Sequence, residues 1–324
     1  MRRSKPKISI ITTFYNDENT ILFALQSVLF NVIPDNIVVE YIIVNDCSTD
    51  NSPKYAQTLI DKNKKSKIKC KYFTTPENLG CGGARKFGIS KAKGDYFMFL
   101  DADDYYVSNT FISRAYNDIV RTEADIVEYG VIDNFTDGTR RENKVDKEYI
   151  LTDKRQIMKV MLNDGIIKFY VWSKIYKKEI VNSKEYSDKR TFEDIRTTPY
   201  WIYNCNKIAI MPSAEINYRA NEKSIIRNDN VETRKGTVEA LFELMQNMPN
   251  DYAWDIYNRA LIDFTAIMNG HTSDDPGFNE LSKYNTEMLK ILFPNDYESL
   301  TFNLPENDVK EDNPEANTTE VIEQ

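Results

Sequence analysis

One histidine in 324 residues leaves little for imidazole chemistry to work with. That residue, His271, lies in the polar stretch NGHTSDD. A histidine-based nucleophile triad or an imidazole zinc site is therefore not indicated, and acid–base work falls to carboxylates. Cysteine is also scarce. Cys47, Cys70, Cys81 and Cys205 include no C-x-x-C pair, which argues against a zinc cage or a redox couple and reads as buried free thiols in a reducing compartment. No run of about 18 apolar residues exists, so no membrane-spanning helix is expected. The basic start MRRSKPKISIITTFYND carries too short an apolar run for a secretory signal and soon meets Asp17. These absences predict a cytoplasmic protein, with membrane contact only from the surface. The stretch GCGG lacks the G-x-G-x-x-G spacing of a dinucleotide site, and no G-K-S/T follows to make a P-loop.

What is present is ordinary for a soluble chain: 41% hydrophobic and 28% charged residues, with 20 tyrosines and 16 phenylalanines to fill a core. The net charge of −8 is unevenly spread. Residues 305–324 hold seven acids and one lysine, a net of −6, which leaves −2 for the rest. That near-neutral remainder lacks the basic stripe of a duplex binder. The lysine-rich DKNKKSKIKCK reads as a solvated helix end, with anionic contacts as the other reading. The tail has no aromatics and no apolar periodicity, and 304–324 is expected to be disordered.

Over the first hundred residues, strand and helix signals alternate. ISIITTF, VVEYIIVND, IKCKYFTT and DYFMFLD read as strands. Between them lie three helical segments, the first of which puts Ile21, Ala24, Leu25, Val28 and Leu29 on one face. This pattern predicts an α/β fold with a mostly parallel central sheet flanked by helices. Ligands of such sheets gather at the carboxyl ends of the strands, and polar groups cluster at three of them: Thr12–Asn16, Asn45–Asp50 and Asp101–Asp104. Further along, ADIVEYGVIDNF and EYILT read as strands around the turn TDGT, FEDIRTTPYWIYN as a helix interrupted near Pro199, and NKIAIMPSAEINYRAN as two short strands. From about Val231 to Phe293 the pattern is helical.

The stretch YFMFLDADDYYV ends a buried strand on Asp101, Asp103 and Asp104. Helix capping or a turn accounts for one aspartate. Three mutually repelling carboxylates call for a cation or a raised pKa. Mg²⁺ or Mn²⁺ suits an all-oxygen site and leaves room for a diphosphate.

Taken in order, the motifs resemble those of the family-two glycosyltransferases, over roughly residues 7–228. ISIITTFYNDENTI resembles the first strand and turn, with Tyr15, Asn16 and Glu18 matching and Thr13 in place of proline. VNDCSTDNS supplies Asp46, while Asn45 and Cys47 depart from the pattern. NLGCGGARKFGI supplies Asn78, Gly80, Ala84, Arg85 and Gly88, with Lys86 in place of asparagine. FLDADD is the metal motif without departure. VWSKIYKKEIV, TFEDIRTTPYWI and NYRANEKSIIR follow in the family's order.

The resemblance implies the GT-A nucleotide-sugar fold over 1–228, with a nucleotide-binding half at 1–106 and an acceptor half at 107–228, followed by a helical extension at 229–303. It implies inverting transfer from a nucleotide-diphosphate sugar, a UDP-sugar by preference. The acceptor would be a hydroxyl of a glycan, a lipid-linked saccharide or another molecule. Asp194 is implied as the base, with Glu193 as the alternative base or a salt-bridged helix residue. Asp103 would ligate Mn²⁺ or Mg²⁺, Asp101 the ribose or a metal-bound water, and Asp104 would orient the others. Thr13, Tyr15, Glu18 and Asp46 would line the base and ribose pocket. Arg85 would face the diphosphate or form a structural ion pair. Arg219 and Arg227 would close on the diphosphate or stay solvated, and Trp172 would stack on a sugar or pack in the core.

Two other readings compete. A sugar-nucleotide pyrophosphorylase would want a glycine-rich basic loop after the first strand, where TTFYNDEN is acidic and has no glycine. A catalytically inactive scaffold or carbohydrate-binding protein would be expected to have lost Asp101, Asp103 or Asp194, and all three are present.

Overall fold

The computed structural model describes residues 5–135, 138–163, 165–219, 231–268 and 276–295. Alternating elements open the chain: β1 (Lys7–Phe14), α1 (Ile21–Leu29), β2 (Val38–Asn45), α2 (Ser52–Lys62), β3 (Ile68–Thr74), α3 (Gly80–Lys91) and β4 (Tyr96–Phe99). The short β5 (Tyr105–Tyr106) and α4 (Phe111–Thr122) follow the aspartate cluster. Next come β6 (Ile126–Asn134), β7 (Arg140–Asn143), β8 (Tyr149–Leu151), α5 (Lys154–Leu162), β9 (Lys174–Lys177), α6 (Lys178–Val181), α7 (Thr198–Asn204) and β10 (Ile208–Arg219). Three helices close the described chain: α8 (Val231–Asn247), α9 (Ala253–Met268) and α10 (Pro276–Leu292).

One sheet runs through both halves of residues 7–219, in the order β3-β2-β1-β4-β9-β6-β10-β5, with β7 on β6 and β8 on β10. Strands β1–β4 pair in parallel, and β6 and β10 point the same way because the antiparallel β9 stands between β4 and β6. The expected mostly parallel α/β sheet is therefore present. Its central strands are apolar on both faces, as covered strands must be: Ile8, Ile10, Ile42 and Ile43 have no exposed surface. The five residues expected on one face of α1 are its buried residues. Helices α8, α9 and α10 pack on one another as the C-terminal extension.

Three expectations need correction. NKIAIMPSAEINYR is one strand, β10, with register shifts between Ile210 and Ile216. Pro212, which has no N–H to give to a ladder, sits in that irregularity and makes one strand look like two. FEDIR forms turns, and Pro199 lies in the first turn of α7, so the proline starts the helix it was expected to interrupt. The four cysteines are free thiols, but only Cys205 is buried, and Cys81 is exposed. The acidic tail and His271 lie outside the described residues.

Candidate active site

The carboxyl ends of β1, β2, β4, β6 and β10 converge on a cavity of about 690 Å³. Thr13, Tyr15, Asp17, Asp46, Arg85, Asp101 and Asp103 line its N-terminal side. Asp133, Asn143, Lys168, Tyr170, Trp172 and Tyr218 line the other side. Glu193 and Asp194 also line it.

The turns after β1 and β2 are tied together. Asn16, at φ 58°, accepts the Thr49 N–H on Oδ1 at 2.8 Å, and the Glu18 N–H donates to Asp50 at 3.0 Å. Glu18 itself turns to α2, where its carboxylate accepts from the Asn51 backbone and side chain at 3.1 and 2.9 Å. Glu18 is thus not a lining residue; Asp17 holds that position instead. Desolvation, with Asp50 and Asp101 adding repulsion, pushes the Asp17 carboxyl up to about 6.

Asp46 is buried and caps the start of α3. It accepts from Thr75 Oγ1 at 2.8 Å, Leu79 N at 2.9 Å and Gly80 N at 2.8 Å. A carboxylate offers about four acceptor sites, so one remains for a ligand N–H.

Arg85 is buried. Its guanidinium donates to Asp101 at 2.7 Å, Tyr186 Oη at 2.8 Å and Glu193 at 2.5 Å. The arginine thus makes ion pairs with Asp101 and Glu193 while lining the cavity with them. The pairing also links the end of β4 to the segment that carries Asp194.

Asp103 has its carboxyl pushed up to about 7 by burial first, then by Asp101 and Asp17. Burial, then repulsion from Asp103 and Asp101, holds the Asp104 carboxyl well above the usual carboxylate range, and its Oδ2 is buried without a hydrogen-bond partner among the described residues. Among those residues no three His, Cys, Asp or Glu side chains form a closed metal cage. The set still fits a hard cation held by one or two carboxylates and completed by a diphosphate, because a cation relieves the repulsion that raises Asp103.

Arg219 does not line the cavity. It donates through Nε to the Asp103 carbonyl at 2.8 Å, its N–H reaches Asp104 at 3.1 Å, and its guanidinium lies over Phe23 at 4.4 Å. It pins the end of β10 to the aspartate turn. Arg227 lies outside the described residues. Among the described residues, the cations on the cavity wall besides Arg85 are Lys168 and Arg190, neither of which the motifs indicate.

Asp194 has its carboxyl pushed up to about 6, chiefly by burial and then by Glu193. Its Oδ1 accepts the Ile195 N–H at 2.8 Å. In the same cavity, Tyr170, Trp172 and Tyr218 stack with centroids 4.1 and 5.7 Å apart and planes within 6°. Trp172 is therefore both packed and part of the wall. Beneath this stack, Lys174 is wholly buried against Glu128 at 3.3 Å, its register partner on β6. The Lys174 ammonium donates to the Tyr170 carbonyl at 2.8 Å, and Glu128 accepts the Lys168 N–H at 2.9 Å.

A mostly parallel α/β sheet whose strand ends gather carboxylates around one cavity places that cavity where ligands of such sheets bind. The profile of Glycosyl transferase family 2 matches residues 9–183, more than half of the chain, and the protein belongs to that family. A putative glycosyltransferase of Bacillus subtilis, EpsH, is 30% identical over 186 residues, covering 56% of this chain and 50% of its own. The chain spans about half the length of the first curated relatives it matches. Among solved structures, S. aureus TarS 1-349 in complex with UDP-GlcNAc aligns over 91% of this chain and 83% of its own, with a TM-score of 0.67 at 18% identity. The mannosyltransferase PcManGT from Pyrobaculum calidifontis, in complex with GDP-Man and Mn²⁺, aligns over 92% and 84% with a TM-score of 0.56 at 13% identity. These likenesses show that the fold is the GT-A type.

Proposed function

We propose that the protein transfers a sugar from a nucleotide-diphosphate sugar, a UDP-sugar first, to an acceptor hydroxyl with inversion at the anomeric carbon. The observation that carries this reading is the meeting of Asp46, Asp101, Asp103 and Asp194 in one cavity. TarS, a structural neighbour, binds UDP-GlcNAc.

In this mechanism Asp46 accepts an N–H of the nucleobase at its remaining acceptor site, and Thr13 and Tyr15 flank it. Asp101, fixed by Arg85, receives the ribose. Asp103 would hold Mn²⁺ or Mg²⁺, which when bound would offset the charge of the diphosphate. Lys168 and Arg190 supply further positive charge in the same cavity. The acceptor oxygen attacks the anomeric carbon as the bond to the diphosphate oxygen breaks, and its proton passes to Asp194. A base pushed up to about 6 is still ionised at neutral pH and holds an abstracted proton better than an ordinary aspartate. The side of the cavity carrying Asp133, Asn143 and the aromatic stack would receive the acceptor, whose hydroxyl belongs to a glycan or lipid-linked saccharide. Among the described residues no helix is long and apolar enough to cross a membrane.

The test is UDP release from a panel of UDP-sugars with Mn²⁺ or Mg²⁺. Slow metal-dependent hydrolysis of one sugar is expected, reduced about 10²-fold or more in both Asp103→Ala and Asp194→Asn. If neither UDP-sugars nor other nucleotide sugars turn over with either metal, the proposal fails.

A further inference from the structure

The family match stops at residue 183, before Asp194 and before the helical extension. Two contacts, one onto Phe192 and one onto Arg196, tie that extension to the segment carrying Asp194. Phe192 stands two residues before it at φ 55°, a left-handed conformation that a bulky residue adopts only when its surroundings hold it. Gly236 sits inside α8, where glycine is a poor helix former. A Cβ there would lie 2.4 Å from Phe192 Cε2 and 2.8 Å from Cδ2, so the glycine makes room for that ring. Arg196, two residues after Asp194, donates Nε to Glu243 of α8 at 2.7 Å and Nη2 to the other Glu243 oxygen at 3.2 Å. The same guanidinium donates back to the Thr191 carbonyl at 3.2 Å.

We propose that α8 is a positioning element for the base: Gly236 and Glu243 clamp the Phe192–Arg196 turn from outside the sheet and fix where the Asp194 carboxylate stands in the cavity. Gly236 and Glu243 act through Phe192 and Arg196 and touch no substrate. A bidentate guanidinium–carboxylate pair sets orientation as well as distance, which suits it to this role. The geometry of the base turn is sensitive, because a shift of about 1 Å at a reacting group costs roughly 10²-fold in rate. The clamp rests on the transferase reading for its effect on rate, but not for its effect on the turn.

The experiment uses the full chain with Gly236→Ala and Glu243→Gln. Gly236→Ala puts a Cβ where the Phe192 ring lies and the ring must move, so a merely structural role predicts lowered stability with kcat of the folded enzyme unchanged. The clamp predicts a kcat for UDP release lowered about tenfold or more in each variant, with KM for the nucleotide sugar within about twofold. Hydrogen exchange is read in parallel at the amides of Thr197 and Thr198, which donate to the Asp194 carbonyl at 3.1 and 2.8 Å. Faster exchange there in both variants supports the clamp; exchange unchanged from wild type overturns it. Faster exchange with unchanged kcat overturns the positioning role. If the wild type turns over no nucleotide sugar, the transferase reading falls, and the exchange data alone decide whether α8 holds the turn.

Discussion

Replacing Asp194 with asparagine is expected to do two opposite things, and both follow from the raised carboxyl. Its folded-state pKa of about 6 against 3.8 for a free side chain means that ionisation opposes folding. The difference is about 3 kcal/mol at about 1.36 kcal/mol per pKa unit. Asp194 keeps some solvent contact and has the Glu193 charge beside it, which brings the cost to about 1–2 kcal/mol. The sign is set by the raised value. Below about pH 4 the group is protonated in both states and costs nothing; the cost grows as pH rises and is complete above about pH 6. Asp194→Asn should therefore raise Tm by about 2–4 °C at pH 7.5 and by nearly nothing at pH 4. In the same variant turnover should fall about 10²-fold or more. Wild-type kcat should decline on acidification through about pH 6, as the base is protonated. Calorimetry across pH and UDP release on the same preparations check both halves. A Tm difference that does not change with pH refutes the burial argument, and retained turnover refutes the assignment of the base.

Arg85→Ala should destabilise by about 3 kcal/mol or more, because it strands Asp101 and Glu193 without their shared cation; thermal unfolding that matches wild type would refute this. Lys174→Met should cost about 3–5 kcal/mol by leaving Glu128 buried and unpaired, and adding Glu128→Leu should restore most of it. A double variant as unstable as the single one would show that the ion pair is not the source of the cost.

Much of the sheet was legible in the residues, because β1, β2 and β4 are apolar runs bounded by polar ends and α1 keeps helical spacing. Asp101–Asp104 stood out because like charges at the end of a buried strand need an explanation. Polar residues at a strand end do not announce which will face the ligand. Glu18 ties two turns together while its neighbour Asp17 lines the cavity, and a one-residue difference in a turn carries no periodic signal. Arg219 was recognisable as a cation near the site but serves as a pin. Asp133, Asn143, Lys168, Tyr170 and Tyr218 were missed for a different reason. They reach the cavity from separate segments, and only sheet order brings them together. The bulge at Pro212 hid a long strand for local reasons: one missing N–H looks the same in sequence whether a strand ends or bends.

The seat of β10 has a consequence for how the protein comes into being. This strand inserts between β6 and β5, and Tyr218 and the Arg219 pin reach the site from its end. Asp104, which receives that pin, precedes Arg219 by 115 positions. A chain emerging from the ribosome thus carries its aspartate cluster long before the end of β10 exists, with an open sheet edge in the meantime. The cavity is completed only when β10 has been made, and a chain cut short before residue 218 would keep the first four strands and most of the wall while lacking Tyr218 and the Arg219 pin.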